Sequence, residues 1–252
     1  MIGGTLSGQT ALVTGAAVRL GRACARALAA RGAGVIIHYR TSAEEALRLA
    51  DEIVSGGGRA WTLQADLANE EEAAALVPRA IQRAGGLSIL VNSAAIFPSD
   101  TVENITLDAM VACLRVNAWA PLLLSRSFAE HAGRGKIVNF LDTRVAGYDW
   151  RHVSYIVSKH VLELLTRMCA LQFAPEIAVN AVAPGLILPP PGEDHSYLDA
   201  LVGTVPLHKH GRAEDVAEAV AFLATSEFLT GQVIYVDGGR HLLEHQSGPD
   251  PD

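Results

Sequence analysis

Tyr155 and Lys159 stand one helical turn apart in the segment SYIVSK, and an aspartate, Asp142, precedes them in the chain. At positions i and i+4 the phenol and the ammonium share one face of a helix. A neighbouring cation favours phenolate and lowers the pKa of a tyrosine, which makes proton transfer near neutral pH feasible. The spacing therefore predicts proton-transfer chemistry at Tyr155, with Lys159 lowering its pKa. An exposed helical pair without any catalytic role has the same spacing, so the neighbouring segments must distinguish a catalytic pair from a surface pair.

A glycine-rich turn near the N-terminus predicts a dinucleotide site. Gly15 and Gly21 lie between an apolar strand and the run ACARALAARG, which is typical of a helix. Such a turn lets backbone N–H groups approach a pyrophosphate at the positive end of a helix. Arg19 replaces the usual central glycine, so the general G-x-G-x-x-G pattern is not met, but a guanidinium binds phosphate or a flat heteroaromatic edge well. We expect Gly15, Arg19 and Leu20 to contact the cofactor, and a purely structural turn is the alternative.

The end of the second strand favours NADPH over NADH. An NAD-specific domain places Asp or Glu there to hold the ribose 2′-hydroxyl, but no acid lies between Gly34 and Ala43. Arg40, Thr41 and Ser42 instead offer a cation and two hydroxyls at the start of a helix, which suits a 2′-phosphate. Ser42 can also serve as the N-cap of that helix. The residues of this strand end assigned to the cofactor site are His38, Tyr39, Arg40, Thr41 and Ser42.

Composition predicts one cytoplasmic enzyme domain. The chain has 252 residues, of which 50% are hydrophobic and 19% charged, which excludes a disordered chain. A net charge of −7 argues against nucleic-acid binding. We expect no signal peptide, because MIGGTLSGQT lacks a basic and then apolar region, and no membrane segment, because no apolar run reaches spanning length. The 3 scattered cysteines predict reduced thiols, and the 9 histidines lack metal-ligand spacing, so no metal site is expected.

Strand-like and helix-like segments alternate along the chain, which predicts an α/β fold: a single-domain, Rossmann-type, doubly wound parallel sheet flanked by helices. The predicted strands are Thr10–Val13, Val35–Tyr39, Ala60–Gln64, Ile89–Asn92, Lys136–Phe140, Ile177–Val182 and Val233–Val236. The predicted helices are Leu20–Arg31, Glu44–Ser55, Glu70–Ala84, Leu107–Glu130, His152–Phe173 and Ala213–Ala224. Ligands of such sheets bind at the carboxyl ends of the strands. We expect one domain over residues 1–241, a proline-rich lid from 184 to 206, and a flexible tail over 242–252.

These segments in this order resemble the short-chain dehydrogenase/reductase family over residues 8–241. The matching motifs are TGAAVRLG, Asp66-Leu67 after the third strand, VNSAA, Asn117, YIVSK, NAVAPG and VDGG. The resemblance implies a nicotinamide at Tyr155 and Lys159, a water held by Asn117 that relays protons to Lys159, and a homotetramer. Further cofactor contacts implied by the resemblance are Asp66, Leu67, Asn92, Ser93, Ala94, Pro184, Gly185 and Leu186.

Two positions depart from the common family pattern. Asp142 stands where most members have serine, and Ser93 stands where they have asparagine. A serine hydroxyl donates a hydrogen bond to a substrate carbonyl, whereas an ionised Asp142 would repel the developing oxyanion. Simple ketone reduction is therefore disfavoured unless Asp142 is protonated. A degenerate, weakly active site is the alternative.

The chain resembles one subgroup of this family, the pteridine reductases, whose members also have an aspartate at the position of Asp142. TGAAVRLGR, HYRTSAEEA and VNSAAIF match that subgroup, and Phe97 stands where its members stack an aromatic ring on the pterin. The resemblance implies an NADPH-dependent reductase of a pterin or dihydropterin, in which Asp142 and Tyr155 assist protonation. Arg19 and, if the proline-rich loop closes, Leu188 would contact the substrate. The alternatives are an NADPH-dependent ketone or imine reductase of the same fold, and a non-catalytic nucleotide-binding protein.

Overall fold

Seven strands form one sheet in the computed structural model, which describes residues 4–190 and 192–243. They are β1 (Thr10–Val13), β2 (Gly34–Tyr39), β3 (Arg59–Gln64), β4 (Ile89–Asn92), β5 (Gly135–Phe140), β6 (Ile177–Pro184) and β7 (Val233–Val236). Their order is β3-β2-β1-β4-β5-β6-β7, and every neighbouring pair is parallel. The order reverses direction between β1 and β4, where doubly wound sheets open a crevice for ligands. The predicted fold class is confirmed.

Helices cover both faces of this sheet. They are α1 (Arg19–Ala30), α2 (Ala43–Ser55), α3 (Glu70–Ala84), α4 (Leu107–Leu114), α5 (Ala120–His131), α6 (Val153–Gln172), α7 (His195–Leu201) and α8 (Ala213–Thr225). Within β1, Val13 packs with α1 and α8, whereas Leu12 packs with α3 and α5 on the opposite face. Consecutive residues of a strand point to opposite faces, so two apolar layers arise from one apolar strand.

The helix predicted over Leu107–Glu130 is interrupted. A π-helical turn, Arg115–Trp119, separates α4 from α5. Pro121 has no N–H and cannot donate to the carbonyl of Asn117 four residues before it, which opens the helical ladder at that point. The widened turn buries the Asn117 side chain completely. Asn117 is therefore placed by a local irregularity that helical periodicity does not reveal.

The run Leu107–His131 also corrects the expectation that no apolar segment reaches membrane-spanning length. By length and composition alone this run is long and apolar enough to cross a membrane. Leu124 and Phe128 of the run are fully buried among residues of the sheet and α3. The run thus contributes to the core of the domain.

The segment predicted as a long proline-rich lid contains a short helix. Within it, α7 has an Asp194 cap whose carboxylate accepts a hydrogen bond from the Ser196 N–H at 2.8 Å. Leu198 of α7 is fully buried against Leu186 and Val205. This small apolar cluster gives the segment a core of its own, which a pattern of prolines does not predict. Of the predicted tail, Leu242 ends a 3₁₀ turn, and 244–252 lies outside the described residues.

Candidate active site

A cleft of about 440 Å³ lies at the carboxyl ends of the strands, over the point where the sheet order reverses. It brings together most of the residues predicted for the cofactor and the substrate. The predicted residues that line it are Gly15, Arg19, Leu20, His38, Tyr39, Arg40, Thr41, Ser42, Asp66, Leu67, Ser93, Ala94, Phe97, Asp142, Tyr155, Lys159, Pro184, Gly185 and Leu188. The parallel sheet therefore positions side chains that are far apart in sequence at one edge.

The glycine turn is shaped for a close approach of a ligand to the backbone. Gly15 adopts a left-handed φ of 64°, and a Cβ there would lie 3.0 Å from the Ala94 Cα. A Cβ on Gly21 would lie 2.4 Å from the Gly15 carbonyl oxygen, so neither position admits a side chain. Because α1 begins at Arg19, its positive N-terminal end faces the cleft. These features fit the pyrophosphate of a dinucleotide.

His38 holds this turn from below. The Gly15 N–H donates to His38 Nδ1 at 3.0 Å, so the ring proton is on Nε2, which donates to the Ala65 carbonyl at 3.1 Å. The ring is only 2% exposed. Burial lowers the pKa of His38 to about 4, so the imidazole is neutral at pH 7. His38 lines the cleft as predicted, but its ring nitrogens are both used to fix the turn.

We expect His38 to make the fold sensitive to mild acid. Its folded pKa of about 4 lies below the ordinary value of 6.5, so its contribution to stability is complete above pH 6.5 and is lost as the pH falls through 4. The contribution is on the order of 3 kcal/mol. The free energy of unfolding, measured by denaturant unfolding at a series of pH values, should depend less steeply on pH in H38Q than in the wild type over this interval. The difference in slope should correspond to at most about one proton. Equal slopes for H38Q and the wild type would contradict this role.

The end of β2 provides the groups predicted to select the cofactor. Arg40 and Thr41 are exposed at the rim of the cleft. Ser42 occupies the N-cap position of α2, but its hydroxyl makes no capping hydrogen bond to the helix. The hydroxyl is therefore available to a ligand at the start of α2, as a 2′-phosphate site needs.

We expect R40D to reverse the cofactor preference. Charge-assisted hydrogen bonds to a phosphate are worth about 10- to 100-fold in affinity, so the KM for NADPH should rise by about that factor. The KM for NADH, which lacks the 2′-phosphate, should hold or fall. R48A is the matched control, because Arg48 lies on α2 and pairs with Glu45 at 3.1 Å. An unchanged KM for NADPH in R40D would contradict the assignment.

The three residues predicted to carry proton transfer meet in the structure. The Tyr155 hydroxyl donates to Asp142 Oδ2 at 3.1 Å, and the other oxygen of Asp142 accepts from the Arg144 N–H at 2.9 Å. Lys159 Nζ lies 5.5 Å from the centre of the Tyr155 ring and donates to the Phe140 carbonyl at 2.7 Å. Tyr155 and Lys159 are 7% and 2% exposed. The prediction that Tyr155 and Lys159 share one face of a helix is confirmed.

The predicted direction of the Tyr155 pKa is wrong. Burial raises the pKa of Tyr155 well above its ordinary value, and the negative charge and hydrogen bond of Asp142 raise it further. Burial lowers the pKa of Lys159 to about 8, against an opposing effect of Asp142. The sequence shows the spacing of Tyr155 and Lys159 but neither their burial nor the accepting carboxylate. Tyr155 is consequently a protonated phenol at neutral pH, which is the form a proton donor needs.

Three predicted site residues are not on the wall of the cleft. The Asn117 amide donates to the Ile96 carbonyl and to Ser158 Oγ, each at 3.0 Å, and thereby ties the loop after β4 to α6. Asn92 donates to Asn139 Oδ1 at 2.8 Å beneath the cleft. Leu186 packs in the apolar cluster around α7. These three side chains lie behind the wall of the cleft. The cofactor contacts of Asn92 and Leu186 and the water relay at Asn117 stay predictions.

Arg19 crosses the mouth of the cleft. It has a left-handed φ of 52°, and its Nη2 donates to the Pro189 carbonyl at 2.7 Å. This bond joins the glycine turn to the proline-rich segment that carries Leu188. Arg19 therefore lies between the predicted cofactor region and the predicted substrate region. This position agrees with the prediction that Arg19 contacts both the cofactor and the substrate.

The ring of Phe97 stands beside the proton-transfer residues. It meets Tyr155 edge to face with centroids 4.5 Å apart, and stacks on His152 at 4.0 Å with an angle of 18° between the rings. Phe97 is 44% exposed and lines the cleft, so it offers an aromatic surface there. His152 was not predicted, because nothing in the sequence shows that it would lie against Phe97. Lining residues that the sequence analysis did not assign to the site are Ala17, Val18, Ala95, Ile96, Val116, Phe140, Leu141 and Ile187.

Comparison with known proteins identifies the family. The family profile described as enoyl-(acyl carrier protein) reductase matches residues 15–241. Versicolorin reductase of Emericella nidulans is 33% identical, over 93% of this chain and 96% of its own length. The chain belongs to the short-chain dehydrogenase/reductase family and is an oxidoreductase of that family.

Its solved and curated relatives include two kinds of reductase. FolM alternative dihydrofolate reductase 1 of Brucella suis, solved in complex with NADP, is 32% identical with a TM-score of 0.91, over 98% of this chain and 100% of that one. The 3-oxoacyl-[acyl-carrier-protein] reductase of Synechocystis is also 32% identical, over 93% of this chain and 97% of its own. A short-chain dehydrogenase of Burkholderia cenocepacia, 36% identical with a TM-score of 0.87, likewise contains NADP and covers 93% of this chain and 98% of its own. The NADPH prediction is confirmed by these neighbours.

Proposed function

We propose that the protein is an NADPH-dependent reductase of a pterin or dihydropterin. The observation that carries this proposal is the Tyr155 hydroxyl donating to Asp142 Oδ2, with the Phe97 ring in edge contact with Tyr155. An acidic acceptor and an aromatic surface beside one proton donor suit a flat nitrogen heterocycle better than a simple ketone.

The chemistry of a C=N bond fits this arrangement. NADPH, when bound, supplies a hydride to the ring carbon. The ring nitrogen then needs a proton, which Tyr155, kept as a phenol by burial and by Asp142, would donate. Asp142 offers only acceptor oxygens when ionised, so it can orient N–H donors of a substrate but would repel an alkoxide.

Several residues support binding of a flat substrate. The Phe97 ring can stack on a pterin, as aromatic faces do on electron-poor rings. Arg19 spans from the glycine turn to Pro189, so its guanidinium is near both the cofactor region and the substrate region. Leu188 completes an apolar wall of the cleft. The likeness to FolM alternative dihydrofolate reductase 1 adds a relative named for reduction of a pterin-containing substrate.

A ketone or imine reductase of the same family is the second candidate. It is favoured by the 3-oxoacyl-[acyl-carrier-protein] reductase among the relatives. The Arg144 guanidinium, charged at all ordinary pH values, lies close enough to Tyr155 to act on its pKa and could partly offset the charge of Asp142. A ketone would then be reduced with Asp142 as an orienting group.

We further propose a cytoplasmic homotetramer. Leu164, Met168 and Leu171 on α6 are 61%, 56% and 85% exposed, and Trp119 is exposed beside α5. Leu164, Met168 and Leu171 follow one another at helical spacing, and exposed apolar side chains on one face of a helix favour burial against another subunit. We propose that the partner in this contact is a further copy of the same chain, and that the protein has no nucleic-acid or membrane partner.

The test is NADPH oxidation by the wild-type protein with dihydrobiopterin, dihydromonapterin and dihydrofolate, beside a panel of simple ketones. NADH in place of NADPH is the cofactor control. We expect turnover of at least one pterin with NADPH and little with NADH. Activity on ketones alone would leave the family and the Tyr155–Lys159 pair standing and would contradict the roles of Asp142 and Phe97.

A further inference from the structure

Behind the Phe97 ring lies a cluster of three side chains that the proposed reaction does not use: Arg144, Asp149 and His152. The Asp149 carboxylate accepts hydrogen bonds from the Arg144 guanidinium, from His152 Nδ1 at 2.9 Å and from the Arg151 N–H at 2.9 Å. A carboxylate only accepts, so His152 carries a proton on Nδ1 and the ring is fixed in one orientation. The Asp149 side chain is 8% exposed.

Within this cluster, Arg144 and Asp149 keep their opposite charges around neutral pH. Burial would raise the pKa of Asp149, but the hydrogen bond from His152 and the charge of Arg144 outweigh it and lower the pKa to about 2. Burial would lower the pKa of Arg144, but Asp142 and Asp149 outweigh it and raise the pKa. The Arg144–Asp149 ion pair therefore persists, and Asp149 continues to hold His152.

His152 is the support on which the Phe97 ring rests. The two rings are nearly parallel, with centroids 4.0 Å apart. The segments that carry them are also joined by the backbone, because the Asp100 N–H donates to the Arg151 carbonyl at 3.0 Å and the Ser99 hydroxyl donates to the same oxygen at 3.2 Å. A half-exposed Phe without such support would lose rotamer freedom on binding a ligand, and this loss weakens binding.

We infer that His152, held by Asp149, is a positioning residue that presents the Phe97 ring to a planar heteroaromatic substrate. His152 acts through Phe97 and does not line the cleft. This inference rests on the proposed function and extends it: selection of a flat ring would depend on a residue one layer behind the stacking surface. The Arg144 guanidinium, with Cζ 5.9 Å from the centre of the Phe97 ring, holds Asp149 in place.

The test compares H152A, H152Q and H152F with the wild type, using dihydrobiopterin as substrate and NADPH as cofactor. H152A and H152Q remove the stacked ring, so the KM for the pterin should rise about three- to tenfold, with kcat and the Kd for NADPH within about twofold. H152F keeps a ring without the bond to Asp149, so its KM should fall between those of H152A and the wild type. H152Q retains a polar group that can reach Asp149, so it keeps the comparison valid if H152A folds poorly.

A double-substitution cycle separates positioning from a general loss of structure. Because His152 acts through Phe97, F97L combined with H152A should show the KM of F97L alone. Additive effects, or equal KM values for H152F and H152A, would overturn the inference while leaving the proposed function intact. Failure of the wild type to oxidise NADPH with any pterin would overturn the proposed function and the inference with it.

Discussion

Y155F should lower kcat for the reductase reaction by about a thousandfold while leaving cofactor binding nearly unchanged. The magnitude is that of removing a positioned general acid, which contributes about 10²- to 10⁴-fold. The Tyr155 hydroxyl donates a hydrogen bond to Asp142 Oδ2, and phenylalanine at position 155 keeps the ring that meets Phe97 edge to face. Stopped-flow measurement of NADPH oxidation would give the rate, and quenching of tryptophan fluorescence would give the Kd for NADPH.

The control for Y155F is Y148F, which removes the hydroxyl of an exposed tyrosine in the loop that precedes α6. Tyr148 does not line the cleft, so its rate should match the wild type. Retention of more than about a tenth of the activity by Y155F would show that another group protonates the substrate. A large rise in the Kd for NADPH would instead place Tyr155 mainly in cofactor binding.

D142S should separate the two candidate functions. Serine is shorter, uncharged and has one side-chain oxygen in place of the two that bind the Tyr155 hydroxyl and the Arg144 N–H, so pterin turnover should fall by about a hundredfold. A serine hydroxyl can donate to a carbonyl, so turnover of ketones should hold or rise. The measurement is the ratio of kcat/KM for a dihydropterin to kcat/KM for a ketone, in D142S and in the wild type. A lower ratio in D142S supports the pterin reductase over the ketone reductase.

D142N is the matched control for shape. It keeps the size of Asp142 but removes the charge and one acceptor, so we expect pterin turnover to fall in D142N as well. If pterin turnover survives in D142S, the role assigned to Asp142 is wrong. If D142N is as active as the wild type, the charge of Asp142 has no part in the reaction.

The parts of the site that depend on local motifs could be predicted from the sequence. The turn at Gly15 follows from a strand, glycines and a helix in succession, and the shared face of Tyr155 and Lys159 follows from helical spacing. Local geometry determines both, so a short segment contains the necessary information. The parallel sheet likewise follows from alternation of short apolar strands and helices.

The parts that depend on burial and on long-range contact could not be predicted. A motif does not show whether its side chain faces the cleft or the core. The Asn92 side chain bonds to Asn139 and Leu186 packs in the cluster around α7, and their contacts with the cofactor stay predictions. The pKa of Tyr155 rises because of burial and a carboxylate that reaches it through the fold. Asp149 and His152 lie in an irregular loop, where no periodicity indicates their partners.

The most direct test of the central claim is the fate of the hydride. The wild-type protein would be incubated with a dihydropterin and NADPH carrying deuterium at the transferable position, and the product examined by NMR. We predict a tetrahydropterin with deuterium on the carbon of the reduced C=N bond. Oxidation of the cofactor without deuterium in the pterin, or a pterin left unchanged while ketones become labelled, would contradict the account.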